Sequence, residues 1–95
     1  MPAYVVVEVD VQDPVTYERY KELAPPSIAQ YGGRYIARGG TLESVEGGWK
    51  PGRLVLLEFP TLDRAREWWS SPEYAEAKKL RHAASQSRMV FLEGV

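Results

Sequence analysis

Two glutamates and two arginines are the side chains of this sequence that could do chemistry together. Glu8 and Glu58 each lie in an apolar, alternating stretch. Arg34 and Arg38 enclose three apolar residues between two glycine pairs, and their spacing predicts one shared strand face. Two carboxylates in a partly dry place raise the pKa of one of them unless a cation is close, and arginine binds a carboxylate at two points. The four could hold an anionic substrate or transfer a proton; alternatively, they form an ion-pair network that fixes strand register and a dimer interface.

Tryptophans and one histidine complete the candidate set. Trp68 and Trp69 are neighbours in a predicted helix, so their side chains diverge by about 100° and only one can face the core fully. Trp68 joins the four charged residues as a hypothetical ligand contact, with core or interface packing as the alternative. Trp49 lies in a glycine-rich turn, where an aromatic often serves as an interface or lid residue. His82 cannot form a metal site alone, and with Arg81 it is expected to be a cation near a helix C-terminus.

Several kinds of chemistry have no basis in this sequence. It contains no cysteine, which excludes disulfides, zinc-thiolate sites and thiol catalysis. The glycine-rich segment 39–48 lacks the lysine and the helix that follow a phosphate-binding loop, and no serine has a neighbouring histidine with a third partner. We therefore assign no catalytic residue, expect no metal and no cofactor, and leave open whether the protein is an enzyme.

The composition is that of an ordinary globular protein. The 95 residues are 44% hydrophobic and fall within the usual size of a single domain, 1–95. The net charge is only -1, so the positive field that drives nucleic-acid binding is missing. The first twelve residues carry acidic side chains and no basic leader, which predicts neither a signal peptide nor a membrane span. We expect a cytoplasmic protein without nucleic-acid or membrane partners.

The hydrophobic pattern predicts strands and helices in the order β-α-β-β-α-β. Alternating and β-branched stretches predict strands at 3–11, 34–38, 53–59 and 87–95. The strand at 53–59 is expected to be central, because both of its faces are apolar. With antiparallel pairing, this order gives an α+β fold in which two helices pack on one face of a four-stranded antiparallel sheet.

Capping and breaking residues delimit the two helical regions. The first helix is predicted to begin at the N-cap Asp13 and to break or kink near Ala24, because of Pro25 and Pro26. Gly32-Gly33 is expected to close it, since glycine adopts the left-handed conformation that follows a helix. The second region is predicted in two pieces, capped by Thr61 and Ser71. A bulge or turn is expected at the glycines that follow Arg38.

The other face of the sheet has no helix to cover it. It carries Val6, Leu54 and Leu56, with either Val90 and Leu92 or Met89 and Phe91 beside them. A patch this apolar is rarely left to water. We therefore expect a homodimer in which two sheets pack face to face, or close into a shared barrel, about a twofold axis.

Four stretches of the chain resemble a known family. The segments "DPVTYERYKELAPPSIAQYGGRYIARGG", "GGWKPGRLVLLEFP", "WWSSPEYAEAKKLR" and "VFLEG" are similar to those of the DUF1330 family, of unknown function. The resemblance implies a ferredoxin-like fold of the dimeric α/β-barrel superfamily. That superfamily includes cofactor-independent monooxygenases, muconolactone isomerases and haem-degrading enzymes, which use a pocket between helix and sheet or inside the barrel. This sequence has no asparagine and matches none of their catalytic sets.

Two functional hypotheses remain open from the sequence. In the first, a small homodimeric protein takes a small organic molecule, anionic or aromatic, in its barrel or helix-sheet cleft, with Arg38, Glu8 and Glu58 as polar anchors. In the second, the dimer is a structural or interaction module with a packed interior. An open cavity with a pKa-shifted acid at its wall would favour the first, whereas the same residues paired and dry would favour the second.

Overall fold

A four-stranded antiparallel sheet with helices on one face forms the protein, of which a computed structural model describes residues 1–95. The strands are β1 (Ala3–Val11), β2 (Arg34–Arg38), β3 (Arg53–Phe59) and β4 (Ser85–Glu93), and the helices are α1 (Pro14–Gln30), α2 (Leu62–Trp69) and α3 (Pro72–Ala84). The strand order is β2-β3-β1-β4, so β3 is central as predicted. This confirms the α+β ferredoxin-like fold. None of the helices combines the length and the apolarity needed to cross a lipid bilayer.

The predicted helix caps are confirmed. The side chains of Asp13, Thr61 and Ser71 accept hydrogen bonds from backbone amides of the first turns of α1, α2 and α3. The second helical region is therefore two helices, because α2 ends with Ser70 as its C-cap and Ser71 caps the start of α3.

Helix α1 continues through Pro25-Pro26, so the predicted break is wrong. A proline inside a helix removes a backbone donor and pushes against the carbonyl four residues earlier. Tertiary packing offsets this cost, since Ala24 and Ile28 are buried in the core on either side of the prolines. In the same turn, the Ser27 hydroxyl donates to the Ala24 carbonyl at 2.7 Å and accepts from the Trp68 indole at 3.1 Å. Helix α1 is thereby tied to α2.

The glycine pair Gly32-Gly33 ends α1 as predicted. Gly32 is in the left-handed region, with φ of 79°. The amides of Gly32 and Gly33 donate to the carbonyls of Ala29 and Ile28 at 3.0 and 2.9 Å, which closes the last turn. A Cβ at Gly33 would lie 2.5 Å from the Phe59 ring, so this glycine also lets the chain approach β3 closely.

Strand β2 contains a β-bulge at a position that the sequence pattern did not indicate. Its register with β3 slips by one residue between Tyr35 and Ala37, which leaves Ile36 as the extra residue. The bulge therefore lies before the glycines at which it was expected, and Gly39, with φ of 65°, turns the chain out of the strand. A one-residue slip reverses the face that each later side chain takes. Arg38 consequently faces the helices.

The two faces of the sheet differ as predicted. The helix-covered face and the helices supply the core, whose largest fully buried side chains are Trp68, Tyr74, Phe59, Val5 and Val9. On the open face, Val6 pairs with Val90, which decides between the two sets that the sequence left open. Val90 and Leu92 are 60% and 58% exposed in the single chain. We call the surface of Val6, Leu54, Leu56, Val90 and Leu92 the open face patch.

Candidate functional site

Arg34 and Glu58 form an ion pair on the open face of the sheet. They are directly opposite in the β2-β3 pairing, and the Nε of Arg34 donates to the carboxylate at 2.8 Å. The arginine side chain is 72% exposed, so this pair contributes little to stability. The pair spans two neighbouring strands; whether it fixes their register, as the structural alternative has it, stays a prediction.

Glu8 has partners that the sequence did not indicate. Arg88 of β4 lies directly opposite Glu8 and donates to its carboxylate through Nε at 2.8 Å and also through Nη2. The Trp49 indole donates to the other carboxylate oxygen at 3.1 Å. Hydrogen bonds from Arg88, and then from Trp49, lower the pKa of the Glu8 carboxyl. The 39–52 connection is thus pinned onto the open face by its tryptophan.

The predicted cluster of two glutamates and two arginines does not form. Glu58 lies opposite Tyr4, four residues along β1 from Glu8, which separates the two positions by about 13 Å. The bulge in β2 places Arg38 on the other face of the sheet, so it shares no face with Arg34. The expectation of one shared site was therefore wrong, because regular alternation was assumed across a strand that does not alternate. A ligand-binding role for each residue separately stays a prediction.

A cavity lies instead between the helices and the covered face of the sheet. The room inside is about 20 Å³, enough for about one water molecule. Its walls come from β1, β2, β3, β4 and all three helices, and they consist of Val7, Val9, Tyr17, Tyr20, Lys21, Ile28, Tyr35, Arg38, Arg53, Val55, Leu57, Trp68, Arg81 and Met89. This set has four cations and no carboxylate. We call it the helix-sheet cavity.

Arg38 lies at the partly open edge of the helix-sheet cavity. Its guanidinium is stacked over the Tyr35 ring, 4.5 Å from the centroid. Its Nη2 donates to the backbone carbonyl of Lys21 in α1 at 3.1 Å. Lys21 itself is paired with Glu18, whereas Arg38 has no carboxylate partner. The predicted candidate Arg38 therefore borders a cavity, although a different one from that expected.

Arg53 contributes the least satisfied polar group of the structure. Its Nε is the one buried side-chain nitrogen or oxygen that has no hydrogen-bond partner. Its guanidinium lies over the Tyr17 ring, 5.6 Å from the centroid, and against the bare Cα of Gly39. A buried N–H without an acceptor costs about 1–3 kcal/mol, and more when the group is charged. An acceptor brought in by a ligand would remove that cost.

Arg81 is a buried cation held by hydroxyl groups. Its residue is only 3% exposed, its Nε donates to the Tyr74 hydroxyl at 3.3 Å, and its Nη1 donates to Ser87 at 2.5 Å. The Tyr74 hydroxyl is also 3.0 Å from that of Tyr20. Burial first, and then Tyr74, raises the pKa of Tyr20 well above its usual value, so this phenol stays protonated at neutral pH. The sequence analysis placed Arg81 near a helix C-terminus but did not predict that it is buried.

The remaining residues that the sequence analysis singled out are Trp68, Trp69 and His82. Trp68 is fully buried and packs 4.2 Å from the Tyr74 centroid, so it is the core member of the tryptophan pair and part of the cavity wall. Trp69 is 39% exposed and is covered by the Lys78 ammonium. His82 is exposed, and its pKa is lowered by partial burial and then by the neighbouring cations Arg81 and Lys78. None of the described residues forms a group of metal-ligating side chains.

The sequence analysis missed Arg53 and the burial of Arg81, although each of the two arginines carried a signal. Arg53 stands two residues before Val55, so alternation assigns it to the buried face of β3. Arg81 stands four residues after Ala77, on the buried stripe of α3. A charged side chain on a predicted apolar face is informative, because burying a charge is costly unless it is paired or binds a ligand.

Gly39→Ala tests whether the arrangement around Arg53 depends on this glycine. A Cβ at position 39 would overlap the Arg53 guanidinium, and φ of 65° disfavours any side chain. We expect the substitution to displace Arg53 and to destabilise the fold by about 1–2 kcal/mol in urea unfolding. Gly40→Ala is the matched control, because a Cβ there meets nothing within 4 Å. Equal stability of the two variants would show that Arg53 does not need the space at Gly39.

The comparison with protein families identifies one match. The model of DUF1330, described as a domain of unknown function, matches residues 2–95. No curated protein matches the chain.

Solved structures similar to this chain share its fold. A protein of unknown function from Rhodopseudomonas palustris, RPA0582, has a TM-score of 0.80 at 22% identity, over 99% of this chain and 82% of that one. A dimeric ferredoxin-like protein of unknown function from Thermobifida fusca has a TM-score of 0.71 at 16% identity, over 99% and 92% of the two chains. SnoaB, a cofactor-independent oxygenase from Streptomyces nogalater, has a TM-score of 0.67 at 13% identity, over 99% and 93%. At these identities the likeness concerns the fold alone.

Proposed function

The chain belongs to the DUF1330 family, of unknown function, and from the geometry of its helix-sheet cavity we propose that the protein binds a small organic anion there. One observation carries the proposal. The Nε of Arg53 is buried beside the cavity and has no hydrogen-bond acceptor. A carboxylate supplies the acceptor that this N–H lacks, and its charge matches the arginine fork.

The charge balance of the cavity supports an anionic ligand. Arg38, Arg53 and Arg81 all line it, and none of them has a salt bridge to a carboxylate. For Arg81, which is buried, and for the buried Nε of Arg53 this is unusual, because taking a charge out of water without a partner is costly. Stacking of Arg53 on Tyr17 offsets only part of that cost. A bound anion would supply the missing counter-charge.

The dimensions of the cavity narrow the class of ligand. About 20 Å³ of interior room matches one water molecule, so a carboxylate enters with one oxygen atom and not with the whole ligand. Arg38 is exposed at one edge, whereas Arg81 is buried, so the head group enters from the side of Arg38. The rest of the ligand lies against the tyrosine rings near this edge. A small carboxylic acid with a planar, apolar body suits both parts.

Calorimetric titration with benzoate tests this function. In chloride-free buffer at pH 7, the expected dissociation constant lies between about 10 µM and 1 mM. Benzamide has almost the same shape without the charge, and it is expected to bind at least about 10-fold more weakly. Absence of heat with benzoate up to about 10 mM, or equal binding of benzamide, would reject the proposal and leave the structural module as the better account.

A homodimer joined through the open face patch is the assembly that we propose. Val90 and Leu92 of this patch are more than half exposed in the single chain, and none of the protein's own elements covers them. Similar structures from Jannaschia, Bacteroides fragilis and Thermobifida fusca are described as dimeric and ferredoxin-like. The helix-sheet cavity lies on the opposite side of the sheet, so this assembly leaves its edge open to solvent.

A further inference from the structure

The two prolines inside α1 each leave one backbone carbonyl without its usual donor. In a regular helix the amide of residue 25 would donate to the Lys21 carbonyl, and that of residue 26 to the Glu22 carbonyl. Proline has no amide N–H, and its ring displaces the carbonyl four residues earlier. The consequences of the two prolines differ. Arg38 donates a hydrogen bond to the Lys21 carbonyl at 3.1 Å. No side chain of the protein donates a hydrogen bond to the Glu22 carbonyl.

Arg38 is held at this carbonyl by two independent features of β2. The bulge at Ile36 turns its side chain toward α1, and the Tyr35 ring supports one face of the guanidinium at 4.5 Å. The contact with Lys21 uses one of the five N–H donors of the arginine fork. The remaining donors are free at the edge of the helix-sheet cavity. The guanidinium is therefore oriented before any anion arrives, which lowers the entropy lost on binding.

We propose that Pro25 is a positioning residue of the anion site. By lacking an amide, it leaves the Lys21 carbonyl available to fix Arg38 at the entrance of the cavity. This inference rests on the proposed function for its ligand. The hydrogen bond from Arg38 to the Lys21 carbonyl, which we call the tether, forms without a ligand. It also explains why a helix that is buried on one side contains a residue as costly as proline at this position.

Matched alanine substitutions of the two prolines test the inference. In Pro25→Ala the new amide competes with Arg38 for the Lys21 carbonyl, so benzoate affinity is expected to fall about 5-fold. Pro26→Ala restores the equivalent amide opposite the Glu22 carbonyl, which Arg38 does not contact. The benzoate affinity of this variant is expected to stay within about 1.5-fold of wild type. In an Arg38→Ala background, Pro25→Ala should have no further effect on affinity. Equal affinities of the two proline variants would overturn the inference.

Thermal unfolding without ligand separates this inference from the proposed function. Arg38→Ala is expected to lower the Tm by about 3 °C in the wild-type and Pro26→Ala backgrounds, but by less than about 1 °C in the Pro25→Ala background. Equal shifts in all three backgrounds would show that no tether exists and would overturn the inference even if benzoate binds. If the wild type binds no benzoate, the positioning role fails together with the proposed function, and the Tm pattern reports only the tether.

Discussion

Replacing Arg53 by methionine is expected to weaken benzoate binding by about 30-fold. The physical reason is the loss of a charge-assisted hydrogen bond in a partly dry cavity, which contributes about 1.5–3 kcal/mol to binding. Methionine keeps the aliphatic packing next to Tyr17, so the change isolates the guanidinium. Calorimetric titration of the variant measures the effect.

The stability of the same variant distinguishes a ligand site from a structural role. The Nε of Arg53 has no partner and its guanidinium forms no salt bridge, so removing it breaks no ion pair. We expect the Tm of Arg53→Met to equal or exceed that of the wild type. Arg66→Met, which removes an exposed arginine of α2 paired with Asp63, is the control and should leave benzoate affinity unchanged. A drop of the Arg53→Met Tm by more than about 5 °C, with unchanged affinity, would contradict the proposed site.

An aspartate in place of Val90 is expected to convert the proposed homodimer into monomers. Val90 lies on β4 opposite Val6, in the open face patch. In a twofold interface, one substitution places two carboxylates in apolar contact, and each unpaired buried charge costs several kcal/mol. The dimer dissociation constant should therefore rise at least about 100-fold. Light scattering coupled to size-exclusion chromatography at about 10 µM protein measures the change.

Val15→Asp provides the matched control for the interface. Val15 is an exposed valine at 82%, but it lies at the start of α1, on the helix side of the molecule. The same change of charge and size there should leave the dimer intact. If Val90→Asp stays dimeric while Val15→Asp dissociates, the assembly uses the helical face and the proposed interface is wrong.

Local signals in the sequence were sufficient for most of the fold. Alternation in 3–11 and 53–59 predicted β1 and β3 with the observed bounds. The caps Asp13, Thr61 and Ser71 predicted the starts of the three helices, because side-chain capping depends on residues only three positions apart. The left-handed conformation at Gly32 is equally local. These features need no knowledge of the rest of the chain.

The candidate site was predicted only in part, for two physical reasons. The bulge at Ile36 depends on how β2 pairs with β3, and a slip of one residue moved Arg38 to the other face. The continuity of α1 through Pro25-Pro26 depends on core packing that local propensity does not contain. Both errors concerned residues whose conformation is decided by distant partners.

The sequence by itself determined the order of the elements, the helix caps, the helix-ending glycines and the apolar patch on the open face. Each follows from neighbouring residues or from a period of two or of 3.6. Only the tertiary structure decided which charges meet: Glu8 pairs with Arg88 and Glu58 with Arg34, while the buried Nε of Arg53 has no acceptor. An arginine side chain is long and reaches across strands, so its partner is set by strand register and by the space that a glycine such as Gly39 leaves open. Those are properties of the folded chain and not of any short segment.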